Sequence, residues 1–348
     1  MKCDKILIVG GGSAGWMTAS TLVRAFPDKD ITVLESPKVP TISVGESTIS
    51  KVKQWTHYLG IDDKEFLKHT DGTIKFSIKF TDFNGKGEEP FHYPFGIPAI
   101  EGTKLNYNDW WIKKEFYPET PVSDYADCFS SVMALVNQSK GAHKFYGFDT
   151  STYSAYQFDA IKFGLWLKDH YCIPRGVKYI QEDVKDIKQD ENGIVSLNKH
   201  KADLFIDCTG FKSMLLGGAL KEPFEPIPKL PNNKAWTTKI PYVDKTKEVE
   251  SFTNCTAIEN GWVWNIPLWS RVGAGYVYCD QFITPDQAQE EIENSKKALH
   301  VLHVEVESMD RSTTGTIVVI RKKNHTPQKY PRFPGEPKRD PIGGTRIK

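Results

Sequence analysis

A glycine-rich turn near the start of the chain, Gly10-Gly11-Gly12-Ser13-Ala14-Gly15, constrains the fold more than any other feature. It follows four apolar residues, Ile6-Leu7-Ile8-Val9, a run typical of a strand buried on both faces. It also opens a helical stretch that Pro27 stops, after which a second apolar run, Ile31-Thr32-Val33-Leu34, begins. Strand, turn, helix and strand within about 30 residues predict a βαβ unit with a parallel sheet.

The spacing of these glycines favours a dinucleotide site. A first glycine permits the tight turn, a second lets the backbone approach a pyrophosphate at the helix N-terminus, and a third allows close packing of helix on strand. Glu35, at the end of the second strand, is placed to accept a hydrogen bond from a ribose hydroxyl. The predicted binding residues are therefore Gly10, Gly12, Ser13, Ala14, Gly15 and Glu35. The spacing leaves both FAD and NAD open, and a purely structural glycine turn is the alternative.

Composition excludes several classes of function. The 348 residues carry a net charge of +1, so no overall field favours nucleic acid or a membrane surface. The six cysteines include no CxxC pair, and we expect neither a disulfide framework nor a metal site. No apolar stretch approaches the length of a signal sequence or a membrane span. We expect a soluble, cytoplasmic protein.

The rest of the chain alternates helical and strand-like patterns. Apolar residues at every second position from Ile74 to Phe80 predict one strand, with Lys75, Ser77 and Lys79 on its polar face. Further predicted elements are a helix at Phe158–Tyr171, a hairpin at Lys178–Leu197, a buried strand at Ala202–Cys208, consecutive strands at Trp262–Pro267 and Ala274–Cys279, and a helix from Thr284 to about Leu299. Beyond about Arg311 periodicity is lost and prolines accumulate, which disfavours a packed fold for the last 25 or so residues.

Three features have a functional and a structural interpretation. Asp207, late in a strand that leads into Gly210, is typical of chains that return beside a flavin, and equally of an ordinary strand and turn. Lys79 is either a solvated charge or a desolvated amine able to donate a hydrogen bond or act as a nucleophile. Trp262 and Trp264 lie on one face of their strand with Ile266; an aromatic core strand is the simpler alternative.

Taken together, these segments resemble the flavin-dependent tryptophan halogenase family over roughly residues 3 to 295. The matching strings are Gly10–Trp16, Val44–Thr48, Phe76–Phe80, Ala155–Ala160, Arg175–Val177, Asp203–Phe211, Trp262–Pro267 and Gly275–Tyr278. The resemblance implies an α/β, FAD/NAD(P)-binding Rossmann-like fold of the two-pass flavoprotein monooxygenase type, with an added β-rich substrate-side layer.

The resemblance also implies a chemistry. A separate flavin reductase supplies FADH2, which reacts with O2 and halide to give hypohalous acid, and a lysine presents the halogen to a small aromatic substrate. Lys79 matches that lysine, which as an ammonium polarises the oxidant and as a free amine can form a haloamine. Trp262 and Trp264, with Ile266 and Pro267, match the segment that keeps substrate away from the flavin. The further cofactor-binding residues implied are Gly45, Glu46, Ser47, Val184, Asp207 and Gly210.

The C-terminal part departs from the family. The Gly-Phe-x-Glu-Pro loop, which supplies the halide site and a partner glutamate, is not in the sequence. We expect one halogenase-like domain over 1–310, with substrate-side segments at about 75–150 and 225–280. The basic, proline-rich residues 311–348 are expected to be disordered or aberrant, the product of a shortened or frame-shifted chain. A flavin-dependent aromatic monooxygenase and a non-catalytic FAD-binding remnant remain the alternatives.

Overall fold

The computed structural model describes most of the chain, and it divides into two compact units. The described residues are 3–39, 45–96, 107–138, 154–227, 230–242, 244–258, 260–284, 287, 304–312 and 315–322. The first unit comprises Met1–Ser43, Gln54–Gly72 and Phe158–Ile227, and the second comprises Val44–Lys53, Thr73–Gln157 and Pro228–Lys348.

The strands are numbered in chain order. They are β1 Lys5–Val9, β2 Asp30–Glu35, β3 Glu46–Ser47, β4 Thr73–Lys75, β5 Ser77–Thr81, β6 Phe91–Pro94, β7 Ala155–Phe158, β8 Lys178–Gln181, β9 Ile187–Asp190, β10 Gly193–Leu197, β11 His200–Lys201, β12 Leu204–Asp207, β13 Lys234–Pro241, β14 Phe252–Ile258, β15 Gly261–Pro267, β16 Arg271–Tyr278, β17 Val304–Ser312 and β18 Gly315–Lys322.

The α-helices are numbered in the same way. They are α1 Ser13–Ala25, α2 Ser50–Tyr58, α3 Asp63–His69, α4 Tyr107–Phe116, α5 Asp124–Asp127, α6 Ser130–Gln138, α7 Ala160–Trp166 and α8 Lys245–Glu248. Other helical turns lie at Leu167–Cys172, Ile173–Arg175, Gly210–Lys212 and Met214–Ala219.

The first unit is built on a parallel sheet of order β12-β1-β2-β8. The predicted β1–α1–β2 unit is confirmed: Ile6 to Val9 of β1 are all buried, as its unbroken apolar run requires. On α1 the buried residues include Trp16, Ala19 and Val23, which follow the helical period. The fold therefore places the end of β1, the glycine turn and the start of α1 at the carboxyl edge of the sheet.

Three predictions in this unit need correction. The hairpin is shorter than Lys178–Leu197, since β8 joins the parallel sheet beside β2 and only β9 and β10 form the antiparallel pair. The helix predicted from Phe158 begins at Ala160, because the Asp159 carboxylate accepts hydrogen bonds from the first-turn N–H groups and caps it. The strand predicted at Ala202–Cys208 is confined to β12, which is only partly buried.

The second unit holds an eight-stranded sheet of order β17-β18-β13-β16-β15-β14-β5-β6 and a small sheet of order β3-β7-β4. The consecutive strands predicted at Trp262–Pro267 and Ala274–Cys279 are confirmed as β15 and β16, which pair in the antiparallel sense. The large sheet is mixed, because β14 pairs with β5 and β13 with β18 in the parallel sense.

The single strand predicted at Ile74–Phe80 is wrong, since the chain changes sheets at Phe76. Residues of β4 pair with β7 in the small sheet, whereas β5 pairs with β14 in the large one. At the break, the Phe76 N–H donates to the Ser251 carbonyl oxygen over 2.8 Å, and the Phe76 carbonyl accepts from Phe95 N–H over 2.8 Å. Alternation of apolar residues continues across the break and therefore hides it.

Irregular structure was expected after about Arg311, but strands continue through Lys322. β17 and β18 form an antiparallel pair, and β18 lies parallel to β13. The β-branched run Ile317-Val318-Val319-Ile320 is the sequence signal for β18. The helix predicted from Thr284 to Leu299 and the proline-rich residues 323–348 lie largely or wholly outside the described residues.

The described part of the chain contains neither a membrane-spanning helix nor a metal-binding cluster. None of its helices has the length and apolar character that a bilayer crossing requires. No group of three or more histidine, cysteine, aspartate or glutamate side chains there could hold a metal ion.

Candidate active site

The glycine turn of the first unit has the geometry of a dinucleotide loop. Gly10 has a φ of +111°, and a Cβ added there would overlap the Cys208 carbonyl group. A Cβ on Gly15 would overlap the Gly10 carbonyl oxygen, so this glycine allows the first turn of α1 to pack on the end of β1. These two positions therefore tolerate no side chain, as the predicted roles require.

The start of α1 suits an anion. Gly12 is its N-cap and offers no side chain to cap the helix, and the first turn carries no acidic residue. The N–H groups at the start of an α-helix have no intrahelical partner and carry a partial positive charge. Ser13 turns its hydroxyl away to donate to the Ala160 carbonyl oxygen over 3.0 Å. Backbone N–H groups are thus the donors that a pyrophosphate would meet.

Glu35 lies over the glycine turn and is held by a residue that the sequence did not reveal. Its carboxylate packs against Gly11, where a Cβ would overlap it. The Tyr179 hydroxyl donates to Glu35 Oε2 over 2.7 Å, and Oε1 remains to accept from a ribose hydroxyl. Burial, together with this hydrogen bond, raises the pKa of Tyr179 to about 12, so the phenol stays a donor. Tyr179 follows β2 by more than 140 residues, and no local pattern marks it.

Asp207 shapes the turn that contains Gly210. Its Oδ1 accepts from the N–H and hydroxyl of Thr209, and its Oδ2 accepts from the N–H groups of Leu215 and Leu216, all within 2.6–3.0 Å. Burial raises the pKa of this carboxyl, but these hydrogen bonds outweigh burial and lower the pKa below its ordinary value. Contact of Asp207 with a cofactor stays a prediction.

Val184 and Gly210 are also placed in the first unit. Val184 packs against the buried cluster of Leu7, Val9, Leu34, Leu197 and Leu215. Gly210 begins a short helical turn with a φ of +63°. Their contribution to a cofactor site stays a prediction.

In the second unit, the segment that contains the predicted cofactor-binding residues Gly45, Glu46 and Ser47 is anchored to β7 through Thr48. Thr48 N–H and the Thr48 hydroxyl lie 2.9 and 3.0 Å from the Tyr156 carbonyl oxygen, and the Tyr156 N–H donates back to Thr48 Oγ1 over 2.9 Å. Gly45 has a φ of +92°, a conformation that favours glycine. Glu46 and Ser47 form β3, and the Ser47 hydroxyl is engaged within the protein rather than directed to solvent.

Lys75 is a buried amine that the sequence alone did not single out. Its side chain is 1% exposed, its Nζ donates to Ser47 Oγ over 2.5 Å, and it lies 4.9 Å from the centre of the Phe95 ring. Burial lowers the pKa of Lys75 to about 7, and the nearby thiol of Cys255 opposes this shift. Near neutral pH, Lys75 therefore populates both the ammonium and the free amine.

Lys79 lies in a different environment. It is half-buried and is the register partner of His92 on β6 and of Asn254 on β14. His92 Nδ1 is 2.7 Å from the Ser77 hydroxyl, and burial followed by the charge of Lys79 lowers the pKa of His92 to about 4. The imidazole is thus neutral beside the lysine at neutral pH.

The register of the large sheet puts Lys79 and the indoles on opposite faces. Cys255 pairs with Phe80 and with Trp264, so it shares their face. Lys79 is adjacent to Phe80 in β5, and successive side chains of a strand point to opposite faces. The Trp264 face also carries Thr253, which contacts Ser47 and through it Lys75. Lys75, rather than Lys79, therefore lies on the side that carries the tryptophans.

The two indoles lie side by side as predicted. The ring centres of Trp262 and Trp264 are 5.9 Å apart with an angle of 54° between planes. The Trp264 ring covers Gly275 on β16, where a Cβ would overlap it. Ile266 and Pro267, which end the strand, are buried. The segment thus forms an aromatic surface packed on β16.

The fold and the first-unit site define a class of protein. A parallel sheet, a glycine turn at its carboxyl edge, an uncapped helix N-terminus and a carboxylate at the end of the second strand are the marks of a Rossmann-like α/β protein that binds a dinucleotide. The family model described as tryptophan halogenase matches residues 5–323. This chain belongs to that family.

Individual relatives agree with this assignment. The tryptophan 6-halogenase ThaL of Streptomyces albogriseolus is 33% identical over 310 residues, which cover 82% of this chain and 58% of ThaL. The solved structure of Tar14, a tryptophan C-6 flavin-dependent halogenase (chlorinase) from taromycin biosynthesis, matches with a TM-score of 0.73 and 34% identity, over 85% of this chain and 61% of Tar14. The chain thus spans about three fifths of the length of these halogenases.

A second similarity concerns a short part of the chain. The ribosomal RNA small subunit methyltransferase G of Geobacillus sp. is 44% identical over 61 residues, which cover 16% of this chain and 26% of that protein.

The tryptophan halogenase family model extends to residue 323, beyond the domain boundary at 310 that the sequence suggested.

Proposed function

We propose that this chain acts as an FAD-dependent halogenase, which transfers halogen from hypohalous acid to an electron-rich aromatic substrate such as tryptophan, another indole or a phenol. Membership of the tryptophan halogenase family and the relatives' names support the reaction class. The observation that carries the proposal is the buried amine of Lys75, on the sheet face that bears Trp264.

The first unit would hold the cofactor. The N–H groups at the start of α1 would bind the pyrophosphate, and Glu35 Oε1 would accept from a ribose hydroxyl, with Tyr179 fixing the carboxylate. A separate flavin reductase would deliver the FAD in its reduced form. The bound FADH2 would give two electrons to O2 and halide would give two more, which yields hypohalous acid and water. The segment Gly45–Thr48 and the residues Val184, Asp207 and Gly210 are proposed as further cofactor contacts.

Lys75 would activate the oxidant. As an ammonium, Lys75 donates a hydrogen bond to the oxygen of hypohalous acid and polarises the oxygen–halogen bond. The ring carbon of the substrate then forms a bond to halogen while the oxygen–halogen bond breaks. The oxygen leaves as water after taking a proton from Lys75, and the halogenated ring then gives its own proton to solvent water. A pKa near neutrality suits this general acid.

Lys79, the lysine expected from the family resemblance, is the competing candidate for this role. Burial, contact with Ser47 and the shared face with Trp264 favour Lys75. Trp262 and Trp264 are proposed to keep the aromatic substrate away from the flavin, which favours halogenation over oxygenation.

Substitution of each lysine by methionine tests the assignment. Each variant is supplied with a flavin reductase, NADH, FAD, bromide and tryptophan, and brominated product is measured by mass spectrometry. Loss of a positioned acid lowers rates by about 10²–10⁴-fold, so Lys75→Met should lose bromination to that extent. Lys79→Met should stay within about threefold of wild type, since its removal leaves the acid in place. The reverse order would assign the role to Lys79. Wild-type rates of bromination in both variants would refute a lysine mechanism.

A further inference from the structure

A buried row of hydrogen bonds joins Lys75 to the last carbonyl of β15. Lys75 Nζ donates to Ser47 Oγ over 2.5 Å, and Ser47 Oγ lies 2.6 Å from Thr253 Oγ1. Thr253 Oγ1 is 2.9 Å from Gln157 Oε1, and Gln157 Nε2 is 3.2 Å from the Pro267 carbonyl oxygen. Three separate segments of the second unit thus supply the side chains between Lys75 and Pro267.

The carbonyl of Pro267 fixes the direction of every bond in this row. A carbonyl oxygen only accepts, so the Gln157 atom beside it is the amide nitrogen, and the atom facing Thr253 is the amide oxygen. Thr253 must therefore donate its one hydroxyl proton to Gln157. Because that proton is used, the Ser47 hydroxyl donates to Thr253 and presents only lone pairs to Lys75.

Thr73 completes the end of the row. Its hydroxyl donates to the Pro267 carbonyl oxygen over 2.6 Å and accepts from Gln157 Nε2 over 3.1 Å. Thr73, Gln157 and Thr253 are all at most 4% exposed. Buried amide and hydroxyl groups in such a row have no water with which to exchange partners, so their orientation is stable.

We propose that Ser47, Thr253 and Gln157 are positioning residues that hold Ser47 as an obligate hydrogen-bond acceptor for the amine of Lys75. An obligate acceptor stabilises the ammonium and orients one N–H bond, which leaves the other N–H bonds for the oxidant. The inference rests on the proposed function of Lys75. It adds that the proton affinity of this amine is set two and three side chains away.

The other groups around Lys75 are few. Among the described residues, Cys255 on β14 is the titratable group that would act on Lys75 by its charge if its thiol ionised, and the Phe95 ring covers the amine. Cys255 is itself buried, and burial raises the pKa of its thiol, so it stays neutral where Lys75 titrates. A change in the titration of Lys75 after substitution of Thr253 would therefore report on Ser47.

The test follows the Lys75 Nζ signal of 15N,13C-lysine-labelled protein through a pH titration by NMR, with Lys75→Met used to assign it. Thr253→Val frees the Ser47 proton to turn and donate to the neutral amine, which stabilises the uncharged form. We expect the pKa of Lys75 to fall from about 7 to about 6, since a hydrogen bond changes from favouring one form to favouring the other. Thr253→Ser keeps the hydroxyl and should restore the wild-type titration.

Two further variants separate a relay from a local packing defect. Gln157→Met removes the far end of the row without touching Lys75 or Ser47, and it should lower the same pKa by a smaller amount. If Thr253→Val does not fold, Gln157→Met carries the test. Thr256 lies on the face of β14 opposite to Thr253, because successive side chains of a strand alternate between faces. Thr256→Val should therefore leave the titration of Lys75 unchanged.

The outcome is independent of turnover. A Lys75 titration that is unchanged in both Thr253→Val and Gln157→Met would overturn the inference, even if the enzyme halogenates. A titration that shifts as expected in a protein that forms no halogenated product would support the inference and count against the proposed function.

Discussion

At the scale of single residues, Tyr179 holds Oε2 of Glu35, the carboxylate that is proposed to accept a hydrogen bond from a ribose hydroxyl through Oε1. Tyr179→Phe removes the 2.7 Å hydrogen bond and frees the carboxylate to rotate. A hydrogen bond to a charged group contributes about 1.5 kcal/mol or more, so we expect FAD affinity to fall by about tenfold. Titration of FAD fluorescence measures it.

Tyr171→Phe is the matched control for that experiment. It also removes one buried phenol hydrogen bond, from Tyr171 to the Leu59 carbonyl oxygen over 3.0 Å, but it does not touch Glu35. The control should lower stability without changing the dissociation constant of FAD. Equal affinities for Tyr179→Phe and wild type would remove Tyr179 from the cofactor site.

Lys75 should cost stability where it is charged. Its folded pKa of about 7 lies below the ordinary 10.5, so the unfolded chain binds the proton more tightly. The free energy of unfolding of the wild type should therefore rise as pH increases from about 7 towards 10.5. At pH below this window, Lys75→Met should be more stable than wild type by on the order of 2 kcal/mol.

Urea unfolding at several pH values checks this prediction. The advantage of Lys75→Met should shrink as pH rises from about 7 towards 10.5, because the folded wild-type amine is neutral there and unfolding must take up a proton that is less available at higher pH. A methionine variant that is less stable than wild type at low pH would mean that the ammonium is well solvated.

At the scale of elements, Gly275 of β16 and Trp264 of β15 depend on each other. A methyl group at position 275 would overlap the Trp264 ring, so Gly275→Ala should displace the indole. Because the two indoles are 5.9 Å apart and tilted, the near-ultraviolet circular dichroism should change. Gly218→Ala, whose methyl would meet only the Ser213 carbonyl oxygen at 3.5 Å, should leave the spectrum unchanged. Identical spectra for wild type and Gly275→Ala would contradict this packing.

Local patterns predicted the elements whose structure is determined locally. The β1–α1–β2 unit follows from an apolar run, a glycine spacing and Pro27, all within one stretch of sequence. The paired indoles follow from alternation along β15. The break at Phe76 could not be predicted, because β4 and β5 keep the same alternation although they belong to different sheets.

For a related reason, the sequence pattern could not predict which lysine is buried. Lys75 and Lys79 are equivalent in a pattern of period two. What separates them is the hydrogen bond from Lys75 to Ser47. Ser47 in turn contacts Thr253, on the face of the large sheet that bears Trp264, and these residues come from distant segments of the chain. Family resemblance pointed to Lys79, whereas burial and register favour Lys75, and the choice remains a prediction.

At the scale of the whole molecule, the chain contains two units with different chemical features. The first contains the features of a dinucleotide site, and the second contains the buried amine and the indole pair. The halogenases matched are longer, since this chain spans about three fifths of their length. The halide site and the partner glutamate of the family have no assigned residues here. The halogenating activity of this chain therefore needs a direct test.

The most direct measurement is the identity of the product. The purified chain is incubated with tryptophan, other indoles and phenols, a flavin reductase, NADH, FAD, O2 and bromide, and products are examined by mass spectrometry. We expect a product with the isotopic doublet of bromine, dependent on the chain and lost in Lys75→Met. An oxygenated product would indicate a monooxygenase, and no product from a chain that binds FAD would indicate a non-catalytic remnant; either result would contradict the proposed halogenase function.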